Sequence, residues 1–574
     1  MSKGKTLATR AKPKSKSAAA IAPAFTKPTS PQPTAIPPSR AHSSAYHYPL
    51  LIEDGGVGKE LLRWFDGIEE ARNMPWRKKW LDPAEHEGAE PEFGKVLEKR
   101  AYEVWVSEVM LQQTRVSTVI PYFNTWISKW PTVEALAEAS HDDVLAVWKG
   151  LGYYSRATRL HDGAKAVLAT TDDVPCKIPS AVDALQKIPG IGRYTAGAVS
   201  SIAFGEAEPV LDGNVARVLS RQLGLYVDAK DKKSTDVLWD VAGSLVKSVA
   251  GYPEQGRSPV PGQWNQALME LGSTICTPRP KCEECPIQRT CRVYAEGQIL
   301  STKKAAVTTD VPDIEDACTL CLQLDTEDLA TAPEDAGDDD ENDAAPKPAK
   351  KRKTEQKPPA NTISNYFTSR TAPNPKPKPD PATPTLSTEA APPATESSNK
   401  RKTPPATPAQ TKAIATYCSL FPKKMPKKAV PEEDAVVCII STPSSSAPCT
   451  TRRYLIEQRP AKGLLASLWQ FPQQTLLPAD QLTTEVRKVT ACAHVESLGL
   501  GSLDVGEVRE LGSLVHVFTH LKLTMHVVHV GLEGAAEGGI GEGKTARKWV
   551  EEGDMGGATL STGMRRCWEL VAGT

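Results

Sequence analysis

The sequence predicts a multidomain protein with two folded regions of different class, the first all-α and the second α+β, joined by a disordered linker. Residues 57–300 carry apolar residues at helical spacing, and residues 431–574 combine strand-like runs with helical ones. Between them, residues 301–430 are of low complexity and rich in Pro, Ala, Lys and Asp. A length of 574 residues leaves room for all these parts.

The charges of the chain are strongly segregated, although its formal net charge is zero. Residues 1–50 contain eight Lys or Arg and no acidic residue, whereas residues 310–343 contain fourteen acidic residues and no basic one. Basic clusters follow at Lys350–Lys353 and Lys400–Lys402. Blocks of like charge are typical of solvated tails and linkers, so residues 1–52 are predicted to form a disordered basic tail.

The basic tail fits a nuclear signal, a mitochondrial transit segment or plain DNA affinity, and we expect a nuclear protein with the mitochondrion as a second location. No run approaches about 18 apolar residues and no signal-peptide core is visible, so we expect neither a membrane span nor secretion. Twelve Cys in such a chain suggest a reducing compartment and metal ligation.

The first folded region is predicted to be helical throughout. In VWVSEVMLQQTRVSTVIPYFNTWISKW, the residues Trp105, Val109 and Val116 recur at helical spacing. Two further amphipathic stretches flank a Gly-x-Gly turn at Gly150–Gly152. The charged segment between Trp76 and Trp105 is predicted to be a surface loop.

The second folded region alternates strand and helix signals. AVVCIISTP and RRYLIEQRP are strand-like, and SLVHVFTHLKLTMHVVHV predicts two strands around a turn. PADQLTTEVRKVTACAHV and the closing GMRRCWELV predict helices. Strands mixed with two helices indicate an α+β domain.

Four cysteines follow one another as Cys276-x5-Cys282-x2-Cys285-x5-Cys291, directly after the helical segment WNQALMELGSTIC. Four thiols within sixteen residues cannot all pair as disulfides in an ordinary fold, so a metal is the better interpretation. Such thiolates suit either zinc or an iron–sulfur cluster. Upstream, LQKIPGIGRYTAGA predicts two helices joined by a Pro-Gly-x-Gly turn, and Asp212 follows the second helix.

Several motifs, taken in order, resemble those of MutY-type adenine DNA glycosylases in their eukaryotic form, members of the endonuclease III or helix-hairpin-helix superfamily. They are PWR (Pro75–Arg77), VWVSEVMLQQT (Val104–Thr114), GLGYYSRA (Gly150–Ala157), IPGIGRYTAGA (Ile188–Ala198), LDGNVARVL (Leu211–Leu219) and the cysteine cluster. The resemblance covers roughly residues 60–300 and 431–530. It implies a helix-hairpin-helix glycosylase domain with an iron–sulfur cluster, followed by a Nudix-like domain that recognises 8-oxoguanine.

The resemblance implies a catalytic group made of Glu108, Asp212, Tyr194 and Asn214. Breaking an N-glycosidic bond needs an acid that protonates the leaving base and a carboxylate that stabilises the cationic sugar. Glu108 is the expected acid, because burial in an apolar helix would raise its pKa, and Asp212 is the expected carboxylate. Taken alone, Glu108 could be a solvated helix residue, Asp212 a helix N-cap and Tyr194 a packed aromatic.

Tyr194 separates two reaction types. In the endonuclease III class a Lys stands at this position, and its amine forms a Schiff base with the sugar. A phenol cannot form that imine, so we expect base excision without an efficient strand-cleaving step. Tyr194 is expected to support the carboxylate beside the sugar, and Asn214 to help place a water molecule.

The target base must leave the duplex, and the resemblance assigns residues to that step. The adenine pocket would be lined by Trp76, Arg77 and Gln266. The vacated stack would be filled by one wedge of Gln112, Gln113 and Thr114, and by a second of Leu151 and Tyr153. DNA phosphates would be held by Gly190, Gly192 and Arg193. Ordinary packing or a surface polar role is the alternative for these residues.

The second domain resembles the Nudix-like module through RPAKGLLASLWQFP (Arg459–Pro472) and VFTHLKLT (Val517–Thr524). The expected lesion reader is the loop of Phe518, Thr519 and His520, where the family has Phe-Ser-His and the Thr keeps the hydroxyl. A Nudix hydrolase needs a Glu-rich metal box, but the corresponding segment has only Glu485. We therefore expect no nucleotide pyrophosphatase activity.

The implied cofactor is one [4Fe–4S] cluster on Cys276, Cys282, Cys285 and Cys291, although the first gap has five residues where the family usually has six. In the linker, Cys318 and Cys321 resemble a shortened zinc site that lacks one upstream Cys, with free cysteines as the alternative. Asn361–Phe367 resembles a sliding-clamp-binding box without its leading Gln, with a chance hydrophobic cluster as the alternative.

The expected function is that of a monofunctional DNA glycosylase that removes adenine mispaired with 8-oxoguanine or guanine. Its expected partner is double-stranded DNA with those mispairs, bound by a monomer without membrane contact. The alternatives are a thymine-mismatch or endonuclease III-like glycosylase and a lesion-binding scaffold without chemistry. Glu108 and the second domain argue against the first alternative, and the retained Tyr194 and Asp212 argue against the second.

Overall fold

Helices form the first part of the described chain, and a mixed β-sheet forms the last part. The computed structural model describes residues 42–53, 55–86, 90–169, 176–302, 317–324, 407–425, 429–444, 452–460, 463, 465–476, 483–500, 504–518, 521–533 and 546–572. The described residues up to Leu324 and from Pro408 onward belong to one compact unit. Within these ranges no helix is both long enough and apolar enough to cross a membrane.

The helical domain starts at a short 3-10 helix, Ser44–His47. It continues through α1 (Leu50–Glu53), α2 (Gly55–Arg72), α3 (Glu90–Leu111), α4 (Val116–Lys129), α5 (Val133–Glu138), α6 (His141–Trp148), α7 (Ser155–Leu168), α8 (Val182–Leu185), α9 (Arg193–Phe204), α10 (Gly213–Leu223), α11 (Lys232–Val249), α12 (Val260–Thr274), α13 (Arg292–Thr302) and α14 (Pro408–Ser419). The predicted all-α class is confirmed for this region.

The sequence analysis predicted a surface loop between Trp76 and Trp105. Helix α3 occupies the second half of that segment, so the prediction was wrong from Glu90 onward. The charged residues that suggested a loop are held inside by polar partners. Arg100 donates to the carbonyl oxygen of Trp76 at 2.7 Å, and Glu103 pairs with Lys78 at 2.5 Å. These contacts offset the free energy that burying charges would otherwise cost.

The helices pack around two hydrophobic cores. The first core joins residues of α3 to α9, among them Trp105 and Trp126, and the second joins residues of α2 and α10 to α12, among them Phe65 and Trp264. Met269 on α12 packs against both cores. The junction of the two cores therefore lies beside this methionine.

Parts of the predicted tail and linker pack onto the helical domain, in contrast to the boundaries predicted at residues 52 and 430. Tyr46 and His47 are buried, and α14 lies against α13 through Ile414 and Tyr417. The few apolar residues that fix these short segments are surrounded by low-complexity sequence. The composition of the flanking sequence therefore led to a prediction of disorder for these folded segments.

The C-terminal domain is α+β, as predicted. Its elements are β1 (Glu432–Pro443), β2 (Arg452–Gln458), β3 (Trp469–Gln470), β4 (Gln473–Leu476), α15 (Thr484–Ser497), β5 (Asp504–Val517), β6 (Lys522–Glu533), β7 (Arg547–Glu551) and α16 (Thr562–Ala572). The sheet has the order β3-β2-β1-β6-β5, with β4 paired to β1 and β7 paired to β2. The pairing of β1 with β6 is parallel, and the other pairings are antiparallel.

Alternation along the central strand β1 explains why both faces of the sheet carry a helix. Val436 and Ile440 pack with Val495 of α15, whereas Val437 packs in a separate cluster with Met564 of α16. Successive side chains of a strand point to opposite faces, so a continuous apolar run buries both.

Candidate active site

Glu108 lies near the C-terminal end of α3, with its side chain turned into the protein. The residue is only 6% exposed, and its Oε2 accepts a hydrogen bond from the Tyr194 hydroxyl at 2.6 Å. Burial raises the pKa of Glu108 to about 7, the bond from Tyr194 lowers it, and the neighbouring Asp212 raises it. A carboxyl group with this pKa carries a proton in a large fraction of molecules at neutral pH, which suits a general acid.

Helices α8 and α9, with the turn between them, form the helical hairpin. Tyr194 lies in the first turn of α9, its second helix. Its hydroxyl also lies 3.2 Å from the Sδ of Met269, at the junction of the two cores. Burial, followed by the negative charges of Glu108 and Asp212, holds the pKa of the Tyr194 phenol well above its ordinary value. Tyr194 therefore stays protonated and can donate to the carboxylate form of Glu108.

Asp212 is the N-cap of α10, which was the alternative considered from the sequence. Its Oδ1 accepts from the Val215 backbone N–H at 2.7 Å, and its Oδ2 accepts from the Asn214 amide at 2.9 Å. Burial raises the pKa of Asp212, and these hydrogen bonds act in the opposite direction. The capping role and proximity to Glu108 coexist, because the Asp212 charge also raises the pKa of Glu108.

Asn214 is held in place by Arg217, which the sequence analysis did not single out. Arg217 donates to the Asn214 Oδ1 at 2.8 Å and to the Gly272 carbonyl oxygen at 2.6 Å. A Cβ at Gly272 would lie 2.7 Å from the Asn214 Cβ, so glycine permits this close approach of α10 and α12. The three-residue spacing from Asn214 to Arg217 on a helix was the available signal.

The residues predicted to line the adenine pocket have different surroundings. Trp76 is buried against Phe123, with ring centroids 5.3 Å apart, which corresponds to the packing alternative. Arg77 donates to the buried Glu270 at 2.8 Å. Gln266 is partly exposed and precedes Met269 by three residues on α12, so the two share a helix face. Glu270 was missed by the sequence analysis.

The two predicted wedges are joined by Arg156, another residue that the sequence analysis missed. Its guanidinium donates to the carbonyl oxygen of Gln112 at 2.7 Å and to that of Gly152 at 3.1 Å. It lies 3.3 Å from the Thr114 hydroxyl as well. One buried cation thus fixes the end of α3 and the turn before α7.

Within the wedges, exposure differs between residues. Gln113 is exposed with a φ of 55°, and Tyr153 is 44% exposed with a φ of 47°. Leu151 is only 6% exposed and packs in the first core, and its place in the second wedge stays a prediction. A side chain that enters a base stack must reach the surface, which Tyr153 does.

The hairpin turn presents its glycines to solvent. Gly190 has a φ of 84°, and a Cβ there would lie 2.8 Å from the Cβ of Arg159. Gly192 is exposed and caps the N-terminus of α9. The Arg193 guanidinium lies 4.1 Å from the centroid of the Trp239 ring, so its side chain is directed to that ring. The backbone is thus the part of this turn that suits phosphate binding.

The four clustered cysteines line one pocket. Cys276, Cys282, Cys285 and Cys291 are all half-buried free thiols. Arg221, which the sequence analysis missed, donates to the Cys276 Sγ at 3.3 Å. An N–H aimed at a sulfur suits a thiolate ligand, so the donor set fits a metal or cluster.

A second metal-ligand group joins the predicted tail to the predicted linker. The ligand atoms of His42, His47, Cys318 and Cys321 all lie within 4.8 Å of one another. His47 Nδ1–H donates to the Leu223 carbonyl oxygen at 2.8 Å, which leaves Nε2 for a ligand. The sequence analysis named only the two cysteines. The signal for the others was a pair of histidines five residues apart.

The described part of the predicted lesion reader is Phe518, which follows β5. Its ring centroid lies 4.5 Å from that of His516, and its backbone N–H donates to the Leu521 carbonyl oxygen at 2.7 Å. Thr519, His520 and the clamp-like segment Asn361–Phe367 lie outside the described residues.

Two family models match the chain. Residues 106–242 match the HhH-GPD superfamily of base excision DNA repair proteins, and residues 449–570 match the NUDIX domain. Together with the hairpin and the buried acid, these matches define a helix-hairpin-helix DNA glycosylase with a C-terminal Nudix-like domain.

Curated relatives specify the family. The chain is 32% identical to the adenine DNA glycosylase of Homo sapiens over 93% of this chain and 77% of that protein. It is 29% identical to the adenine DNA glycosylase of Schizosaccharomyces pombe over 85% of this chain and 84% of that protein. The chain belongs to the adenine DNA glycosylase family, and it is an adenine-specific DNA glycosylase of base excision repair.

Solved structures align with single parts of the chain. A thermostable thymine-DNA glycosylase aligns with a TM-score of 0.32 and 24% identity, over 41% of this chain and 93% of that chain. The C-terminal domain of mouse MUTYH in complex with human PCNA aligns with a TM-score of 0.20 and 26% identity, over 24% of this chain and 87% of that chain.

Proposed function

We propose that the protein flips adenine out of mispairs with 8-oxoguanine or guanine and hydrolyses its glycosidic bond without cleaving the strand. The observation that carries this proposal is the contact of 2.6 Å between the Tyr194 hydroxyl and Glu108, with Asp212 beside them. The site combines a protonated carboxylic acid with a second carboxylate, and Tyr194 has no amine that could form a Schiff base.

In the proposed reaction, Glu108 gives its proton to N7 of adenine. The bond between C1′ and N9 breaks, and its electron pair leaves with the base. The carboxylate of Asp212 stabilises the cationic sugar, and a water molecule adds to C1′. The proton of that water returns to Glu108, so the acid is restored. Asn214, fixed by Arg217, helps to position the water.

The proposed DNA contacts follow from exposure and backbone position. Tyr153 and Gln113 fill the vacated stack, and the exposed glycines of the hairpin hold a phosphate. Gln266 reads the adenine edge from the same helix face as Met269. Arg77, which is held by Glu270, contributes its positive charge near Glu108.

We further propose that the second domain recognises 8-oxoguanine through Phe518, Thr519 and His520. The support is the loop motif together with the position of Phe518 at the end of β5. An aromatic ring can stack on the oxidised base, and the Thr hydroxyl can donate a hydrogen bond to it.

The cysteine pocket is proposed to hold one [4Fe–4S] cluster on Cys276, Cys282, Cys285 and Cys291. The cluster would supply a rigid core that fixes the intervening loop. That loop includes Arg279 and Lys281, whose positive charges suit DNA phosphates.

The second group is proposed to hold a zinc ion between His42, His47, Cys318 and Cys321. Two imidazoles and two thiolates form a complete tetrahedral zinc set, and His42 and His47 supply the two ligands that the sequence analysis did not name. The ion would link the segment before α1 to the segment after α13.

We also propose a nuclear location, supported by the basic cluster Lys350–Lys353.

Single-turnover excision on duplexes with A opposite 8-oxoguanine, G, C or T tests the proposed function. We expect adenine release from the first two mispairs, fastest opposite 8-oxoguanine. Thr519→Ala should lose part of that preference, about 1 kcal/mol or roughly fivefold for one neutral hydrogen bond. Equal rates for all four opposite bases would contradict the proposal.

A further inference from the structure

A fifth cysteine, Cys418, lies against the pocket of the four clustered cysteines. It belongs to α14, far downstream in the sequence, and it lines the same pocket as Cys276 and Cys282. Cys418 is 1% exposed, and it belongs to the packed cluster against which Cys282 and Cys291 lie. The motif analysis of residues 276–291 gave no sign of this contact.

The position of Cys418 is fixed by packing on both sides of it. Tyr417 donates to the buried Glu296 at 2.6 Å, and Ile414 and Phe421 pack in one cluster with Val293. Cys282 and Cys291 pack against the same cluster. The thiol therefore faces the pocket as part of a well-packed interface.

Arg221 joins this interface to the cysteine loop. Its Nε donates to the Phe421 carbonyl oxygen at 3.0 Å, and its Nη1 donates to the Cys276 Sγ at 3.3 Å. One guanidinium thus bridges the segment that follows α14 and a predicted ligand. Displacement of that segment would alter the surroundings of the sulfur.

A cluster of four irons takes four protein thiolates, which Cys276, Cys282, Cys285 and Cys291 supply. Cys418 is then left with its proton, and a thiol S–H can donate weakly to a neighbouring thiolate. Hydrogen bonds to ligand sulfurs and solvent exposure set the reduction potential of such clusters. A donor stabilises the reduced cluster more than the oxidised one, because the reduced form carries more negative charge.

We propose that Cys418 is a positioning residue of the cluster site, whose S–H donates to the ligand sulfur of Cys282 while α14 shields the pocket from solvent. The segment that leads into the second domain thereby raises the reduction potential of the cluster and slows its oxidative loss. This inference rests on the proposed [4Fe–4S] cofactor.

The test uses purified full-length protein with its cluster and compares Cys418→Ala with Cys418→Ser. Cys567→Ala is the matched control, because Cys567 is equally buried but belongs to the core of the second domain. The readouts are the midpoint potential from voltammetry and the rate at which ferricyanide bleaches the visible absorbance of the cluster. Both are independent of glycosylase activity.

Cys418→Ala should lower the midpoint potential and bleach several-fold faster than wild type, whereas Cys418→Ser should lie close to wild type because its hydroxyl also donates. Cys567→Ala should match wild type. An unchanged Cys418→Ala, or equal shifts for the Ala and Ser variants, would overturn the donor role while leaving the cofactor assignment intact. Wild-type protein without iron and sulfide would overturn the cofactor assignment and this inference together.

Discussion

The Tyr194 hydroxyl lies 2.6 Å from the Oε2 of Glu108, across the junction between the hairpin helix α9 and the end of α3. Burial raises the pKa of Glu108 to about 7, and the Tyr194 bond partly opposes that rise. The phenol therefore adjusts the acidity of the expected proton donor, in addition to filling the position at which a lyase would carry an amine.

The first prediction concerns pH. Because protonated Glu108 is the proposed acid, excision should slow as the pH rises through about 7, the pKa of Glu108. Tyr194→Phe removes a hydrogen bond that lowers this pKa, so the descending limb of the pH–rate profile should move to higher pH. Single-turnover rates across the pH range give both midpoints. A limb that stays in place, or moves to lower pH, would show that Tyr194 does not act on the acid.

The same carboxyl group should affect stability. Its folded-state pKa is raised from 4.5 to about 7, so the native state binds the proton more tightly than the unfolded chain. The free energy of unfolding should therefore fall as the pH rises from 4.5 to 7, and this component should vanish in Glu108→Gln. Denaturant melts at several pH values measure it, and an identical slope in the variant would argue against the assignment.

The second prediction concerns reaction type. Tyr194→Lys introduces the amine that the chain lacks, so a covalent adduct with DNA should be trapped by borohydride. Tyr194→Phe is the matched control and should give none. Adduct formation by the wild-type protein at the yield of the Lys variant would overturn the monofunctional assignment.

The third prediction concerns the group of His42, His47, Cys318 and Cys321. Purified protein should contain about one zinc ion per chain in addition to iron. His42→Ala and Cys318→Ser should each lose the zinc and keep the iron, whereas Cys492→Ser, which alters a half-buried thiol of α15, should keep both. Elemental analysis of the wild-type protein and of each variant measures both metals. Full zinc content in His42→Ala would exclude that histidine as a ligand.

The fourth prediction concerns Arg156. Arg156→Lys cannot reproduce the forked bonds to the carbonyls of Gln112 and Gly152, so it should lower stability by roughly 2 kcal/mol and slow excision. Arg159→Lys, an exposed change on the same helix, should be near neutral. Thermal melts and single-turnover rates report the two effects. Equal melting temperatures and equal excision rates for the two variants would contradict the role of Arg156 in fixing the two wedges.

The sequence was most informative for residues that belong to short contiguous motifs. Glu108, Tyr194 and Asp212 could be singled out as one group because each belongs to a recognisable stretch, and the hairpin followed from its Pro-Gly-x-Gly turn. The pattern could not show that Asp212 both caps α10 and lies near Glu108. That relationship depends on how two hydrophobic cores meet.

Residues that act through distant partners could not be predicted in this way. Arg156, Arg221 and Glu270 make their contacts across helices that are far apart in sequence. His42 and Cys418 lie in segments whose flanking composition indicated disorder. The burial of Leu151 could not be predicted either, since its motif position suggested a surface wedge, whereas its side chain packs in the first core.

The most direct test of the central claim is single-turnover adenine release opposite 8-oxoguanine by wild-type protein and Glu108→Gln. The amide keeps the size of the side chain but has no acidic proton, so the rate should fall about 10²–10⁴-fold while the affinity for the lesion duplex stays close to wild type. Glu85→Gln, an exposed change, serves as the control. Excision by Glu108→Gln at a rate near that of the wild type would contradict the role of Glu108 as the acid.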